Sequence, residues 1–259
     1  MRFIPVALAA LVGLAGCGKA DRVHKAAGNM YLRKGDLDGA LREFRAAAAA
    51  APRDPAAHTL LGDVLFEQGL LDESQREYEQ ALRLLPGATD AHRGLAALAT
   101  RRGKLPEAEE HYRAILKVDA SDYRAMRALG LLAYARGDLD GTIDQLTAAL
   151  HAANDDPPSL YHLGLALARK GNQEGATFTF DRLEHAAPGK AYAPYGRAVQ
   201  FALKGDRETA LTWLAQALDR GVEDLGKVES DELLASLKTD PRWRTLLDGA
   251  RRHAKAKEP

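Results

Sequence analysis

The sequence predicts an all-α fold, an α-solenoid of six tandem helix-turn-helix units of 34 residues each, closed by a helical cap. Three observations predict it. Six glycines, Gly35, Gly69, Gly103, Gly137, Gly171 and Gly205, fall 34 residues apart without a slip. A large side chain stands nine residues after each of them, at Phe44, Tyr78, Tyr112, Leu146, Phe180 and Leu214. Each unit also reads as two amphipathic helices, with apolar residues three and four apart. A fixed period over about 200 residues means one supersecondary unit copied in tandem, and units that cannot bury an apolar face alone must stack.

The chain opens on Met1-Arg2 and an apolar run from Phe3 to Leu14. Those twelve residues are too few to span a bilayer, which takes about 20, so residues 1–16 read as a signal peptide. Leu14-Ala15-Gly16-Cys17 resembles the lipobox of bacterial lipoproteins. The resemblance implies cleavage before Cys17 and a covalent lipid on it, with no other cofactor. The alternative is an ordinary secretory signal with an incidental cysteine. Cys17 is the only cysteine of the chain, which excludes an internal disulfide and a CxxC redox site. The resemblance implies three acyl chains, two on the sulfur and one on the new amine, which exceed the two signals that stable anchoring takes. Gly18 after the cysteine implies, by the same resemblance, the periplasmic face of the outer membrane. Residues 17–20 are then a short tether. Extended, Gly18, Lys19 and Ala20 reach about 10 Å, which sets the first repeat against the membrane.

The repeats occupy residues 21–222, beginning at Asp21, Pro55, Thr89, Tyr123, Pro157 and Ala191. The eighth position is Gly28, Gly62, Gly130 and Gly164, with Ala96 and Ala198 in the other two units. The twentieth is mostly small: Ala40, Ser74, Ala108, Thr142, Ala176 and Ala210. Small residues let paired helices approach, and the large residue at position 24 fills the gap. The mid-unit glycine ends the first helix, and Asp36, Asp138 and Asp206 cap the second through a side-chain oxygen. In the first unit the helices are predicted at Arg22–Lys34 and Leu37–Ala50. This pattern resembles the tetratricopeptide repeat family, which implies a right-handed solenoid that binds proteins.

After Gly221 the period stops, and residues 223–259 are expected to form capping helices and a basic tail. In Asp240-Pro241-Arg242-Trp243 the aspartate caps a helix and the proline takes its first turn. Trp243, Leu246 and Leu247 supply an apolar face to cover the last repeat. The basic end, Arg251, Arg252, Lys255 and Lys257, reads as a solvated helix end.

The 36 basic and 36 acidic side chains cancel, so no global field favours nucleic acid. There is no nucleophile elbow, phosphate loop or HExxH, so neither catalysis nor a small-molecule substrate is expected. His24, His58 and His92 share position 4 of three successive units. Stacked helices hold such residues about 10 Å apart, whereas ligands converge within about 2.1 Å of a metal; they read as packing groups. Asp-Leu-Asp-Gly at 36–39 and 138–141 lacks the third acid and the glutamate at twelve of a calcium loop, and reads as a turn with a cap.

The family resemblance also locates binding, at positions 2, 5, 9, 12 and 13 of each first helix. Carried over, these give a partner-binding groove of Leu131, Tyr134, Tyr161, Leu165, Tyr192, Tyr195 and Val199. A charged secondary groove holds Lys25, Asn29, Asp63 and Arg93. Two readings of the tyrosine set stand open: an exposed docking surface, or residues covered by closure of the array or by the terminal element. Lys25 and Asn29 resemble two members of a carboxylate clamp, but Leu60, Asp90 and Gly94 break it, so a C-terminal carboxylate ligand is not expected. Signal, lipobox, six repeats and length together resemble the pilotins of type IV pilus secretins. That implies a lipid-anchored scaffold that helps an outer-membrane secretin assemble. The short tether and the Asp-Pro-Arg-Trp step depart from that pattern. The alternative is an accessory lipoprotein of outer-membrane barrel assembly or of cell-wall synthase activation.

Overall fold

A computed structural model of the chain describes the backbone of residues 7–255 and the side chains of residues 19–253. The described residues are helices and turns with no strand. The chain divides into two compact halves, Met1–Ala120 and Ser121–Pro259.

The N-terminal half holds α1 (Ala7–Arg33), α2 (Leu37–Ala50), α3 (Pro55–Glu67), α4 (Leu71–Leu84), α5 (Thr89–Arg101) and α6 (Leu105–Val118). They pack as consecutive pairs, with α3 also against α2 and α5 against α4. The second helix of the first unit has its predicted bounds. The first does not start at Arg22: α1 runs unbroken from Ala7, so Gly18, Lys19 and Ala20, expected as extended tether, are helical. The glycines there cost only about 1 kcal/mol each against a run of alanine and leucine. The side chain of Cys17 lies outside the described side chains, and so does the lipidation expected on it.

The C-terminal half holds α7 (Tyr123–Ala135), α8 (Leu139–Ala152), α9 (Pro157–Arg169), α10 (Gln173–Ala186), α11 (Tyr192–Lys204) and α12 (Arg207–Arg220), again paired in order. Then come α13 (Leu225–Ser230), a 3-10 helix (Glu232–Leu237) and α14 (Pro241–Lys255). The 3-10 helix packs on α11 and α14 packs on α12. Leu234 and Leu237 are fully buried there, and Trp243 and Leu247 join the same core. Asp240 accepts the backbone N–H of Arg242 at 2.9 Å, capping α14.

The period has a physical reason at each position. The six mid-unit glycines adopt φ between 72° and 86°, a left-handed conformation that costs other residues about 1–2 kcal/mol. Asp36, Asp138 and Asp206 cap the helices that follow, accepting from Gly39, Gly141 and Thr209 at 2.7, 2.9 and 3.1 Å. At position 24, Phe44, Tyr78, Leu146, Phe180 and Leu214 are at most 2% exposed; Tyr112 stays half-buried. A Cβ on Gly62 would sit 2.7 Å from the Tyr78 ring, and one on Gly164 would sit 2.4 Å from that of Phe180. The next first helix contributes a second glycine to each ring: Gly94 against Tyr78 and Gly196 against Phe180, both at 2.3 Å. Polar rungs tie successive units. The residue before the mid-unit glycine reaches back to an acid of the preceding unit: Gln68 to Asp38 at 2.9 Å, Arg102 to Asp72 at 2.5 Å, and Lys170 to Asp140. Asp38 and Asp140 are the second acids of the two Asp-Leu-Asp-Gly turns, so both turns are occupied by caps and rungs.

Candidate functional site

Four rings form a row across the first helices of the C-terminal half: Tyr134 on α7, His162 and Tyr161 on α9, and Tyr192 on α11. Tyr134 meets His162 edge-on with centroids 5.4 Å apart, and His162 meets Tyr161 edge-on at 5.1 Å. Tyr161 and Tyr192 are 6.1 Å apart. The Arg169 guanidinium lies 5.3 Å from the Tyr134 ring centroid, within cation–π range. Burial pushes the phenols of Tyr134 and Tyr161 above their ordinary pKa and the His162 imidazole below its own. The three rings are therefore neutral at neutral pH, and Arg169 is the cation of the row. Tyr192 is 40% exposed and the other three rings are half-buried. The face is amphipathic: aromatic edges, hydroxyls and one guanidinium.

The expected groove is narrower than its sequence positions implied. Leu165 and Val199 are 5% and 0% exposed and belong to the core of this half. Tyr195 is half-buried, and its hydroxyl donates to Asp231 Oδ2 at 2.6 Å. Asp231 in turn caps the 3-10 helix, accepting from Leu233 N at 2.8 Å. The terminal element packs on α11 and α12 and covers that end. Tyr192 is fixed at the margin, donating to Glu223 Oε1 at 2.7 Å. Leu131 is half-buried on α7.

Sequence reasoning missed His162, Arg169, Glu223 and Asp231. Arg169 stands at position 13 of its unit and was within reach of the positional rule. His162 stands at position 6, where Gly94 and Gly196 seat a neighbouring ring, and gave no signal. Glu223 and Asp231 come from beyond the repeats.

The charged set of the N-terminal half is committed to structure. Lys25 Nζ lies 2.7 Å from Asp54 Oδ2 and 3.0 Å from Asp21 Oδ2, which joins the first unit to the cap of α3. Asp63 accepts the Tyr78 hydroxyl at 2.7 Å, and Arg93 lies 3.6 Å from Asp90. Asn29 is exposed on α1.

The three periodic histidines bond within their own units through Nδ1, while the Nε2 atoms of His58 and His92 lie 3.1 and 3.0 Å from the carbonyl oxygens of Pro52 and Pro86 in the preceding unit. The Nδ1 atoms of His24 and His58 meet Glu43 and Glu77 at 2.8 and 2.7 Å. In the third unit a histidine replaces the acid, and His92 Nδ1 lies 3.1 Å from His111 Nδ1. Among the described residues no cluster of three or more His, Cys, Asp or Glu groups is arranged to hold a metal ion.

A sequence model of the tetratricopeptide repeat family matches residues 25–74, 69–123 and 99–157, which together span just over half of the chain. Curated protein sequences gave no match. Among solved structures, the fold is similar to that of pilF of Pseudomonas aeruginosa, with a TM-score of 0.71 and 17% identity over 83% of this chain and 97% of that one. It is similar to PilW, described as a widely conserved type IV pilus biogenesis factor, with a TM-score of 0.67 and 17% identity over 85% of this chain and 98% of that one. It is also similar to YrrB, a protein with an unusual peptide-binding site, with a TM-score of 0.61 and 22% identity over 72% of this chain and 96% of that one.

Proposed function

The chain belongs to the tetratricopeptide repeat family, and from that membership we propose a lipid-anchored periplasmic scaffold that holds a partner protein, most specifically a pilotin-like factor for a type IV pilus secretin. The observation that carries the reading is the ring row of Tyr134, His162, Tyr161 and Tyr192 with Arg169 beside it. Half-buried tyrosines beside an arginine are the residue types that anchor protein interfaces. They offer apolar edges and hydroxyl tips to an amphipathic segment of a subunit. The fold shared with PilW supports the pilus assignment, and the lipobox resemblance at Cys17 supports the anchor.

The protein acts in this reading by binding and placement, with no bond made or broken. Its lipid holds it at the inner leaflet of the outer membrane, where secretin subunits insert, and the row shields an aggregation-prone segment until multimers form. Deleting the gene should leave secretin monomers present and heat-stable multimers absent. Normal multimers and pili in the deletion would contradict the pilus assignment and leave a scaffold for other envelope machinery.

A further inference from the structure

The open edge of α1 carries a second surface. This helix packs on α2 and α3. Lys19, Val23, Ala26, Met30 and Arg33 are all exposed. Their spacing of four, three, four and three residues places them in one stripe about 80° wide at 100° per residue. Val23 is 62% and Met30 39% exposed, both among the exposed large apolar side chains of the described residues.

The charge on this face has one sign. From residue 19 onward every exposed charged side chain of α1 is basic: Lys19, Arg22 and Arg33. The only acid in that stretch, Asp21, is buried and lies 3.0 Å from Lys25. The next acids along the chain lie beyond the end of α1 and are held in hydrogen bonds. Asp36 accepts from Gly39 N, Asp38 from Gln68, and Glu43 pairs with His24. Over residues 19–33 the exposed charge is therefore positive.

We propose that this face of α1 lies on an anionic phospholipid surface. Val23, Ala26 and Met30 enter the headgroup boundary, and Lys19 and Arg33 meet the phosphates that flank them. The stripe is too small to hold the protein by itself. It starts two residues after Cys17, so the inference rests on the lipid-anchor reading for local concentration, and on its own residues for orientation.

The test attaches the chain from Cys17 onward to a maleimide phospholipid through its single thiol, so its outcome does not depend on whether cells acylate that residue. Met30→Trp places an added indole in the stripe. Phe178→Trp, at a residue 64% exposed on α10, is the control. Vesicles contain brominated lipid with either phosphatidylglycerol or phosphatidylcholine alone. The expected result is loss of most of the added fluorescence for Met30→Trp on phosphatidylglycerol vesicles, little loss on phosphatidylcholine, and little loss for Phe178→Trp on either. Neutralising both ends with Lys19→Gln and Arg33→Gln should weaken the orientation equilibrium about thirtyfold, at the usual contribution of a basic residue near such a surface. Quenching equal at both indoles, quenching indifferent to headgroup charge, or none at Met30→Trp would each overturn the proposal. Separately, an unmodified Cys17 by mass spectrometry of the protein from cells would overturn the anchor reading alone.

Discussion

Gly94 and Gly196 seat neighbouring rings by having no side chain. Alanine at either position gains about 1 kcal/mol of helix propensity, but its Cβ would lie 2.3 Å from a buried ring. Overpacking costs about 1–3 kcal/mol and wins. Gly196→Ala should therefore lower stability by up to about 2 kcal/mol. Gly249→Ala, with nothing within 4 Å of its added carbon, should raise it by up to about 1 kcal/mol. Urea unfolding compares them, and a stabilised Gly196→Ala would show that Phe180 is free to move aside. His111 gives a second prediction at this scale. Burial and the neighbouring His92 hold its imidazole below the ordinary value near 6.5. Below that pH the unfolded chain binds more protons than the folded one. Stability is whole above it and is lost as pH falls through the lowered folded value. His111→Glu supplies the acid that Glu43 and Glu77 provide in the first two units. It should gain about 0.5–1 kcal/mol over the parent at pH 5.5 relative to pH 7.5. His162 is untouched by the substitution, so the difference reports on the pair of positions 92 and 111. Equal pH dependence of the two would contradict the shift. The glycine of position 8 was legible because it repeats. Gly94 and Gly196 were not, because only two of six units use them.

Elements were legible wherever their cause is local. A left-handed glycine ends each first helix, and Asp36, Asp138 and Asp206 start the helices that follow, so boundaries such as Leu37–Ala50 could be placed from the letters. The start of α1 could not, because no residue between Ala7 and Arg22 stops a helix strongly enough to mark one. The terminal element was legible as a helix behind Asp240 but not as a cover for the tyrosines. That depends on Asp231 meeting a hydroxyl 36 residues earlier in the chain. Tyr195→Phe removes this bond and leaves a carboxylate short of one donor, which should cost about 1.5–3 kcal/mol. Hydrogen exchange should show the 3-10 helix opening first. Unchanged exchange at Leu233–Leu237 would mean that Leu234 and Leu237 hold the element without the bond. Tyr195→Ala should act as a core substitution, lowering the melting temperature together with any binding.

At the scale of the molecule, the residue pattern carries the repeat family, and the structure limits what is open to a partner. Positions 2, 5, 9, 12 and 13 pointed to seven residues; Leu165, Val199 and Tyr195 have other duties, while Tyr134, Tyr161 and Tyr192 stand in a row. The positional rule reports which side of a helix faces the groove. It does not report where the chain returns to fill it, and so it overextended the site toward α11. In the proposed function this row holds the partner. Affinity purification from detergent-solubilised membranes tests it most directly, comparing the parent with Tyr134→Ala combined with Tyr192→Ala. The parent should retain the secretin subunit. The variant should lose it by about tenfold or more, at roughly 1–4 kcal/mol per truncated aromatic anchor, with its helicity and melting temperature near the parent's. Equal recovery of the subunit with both proteins would contradict the claim.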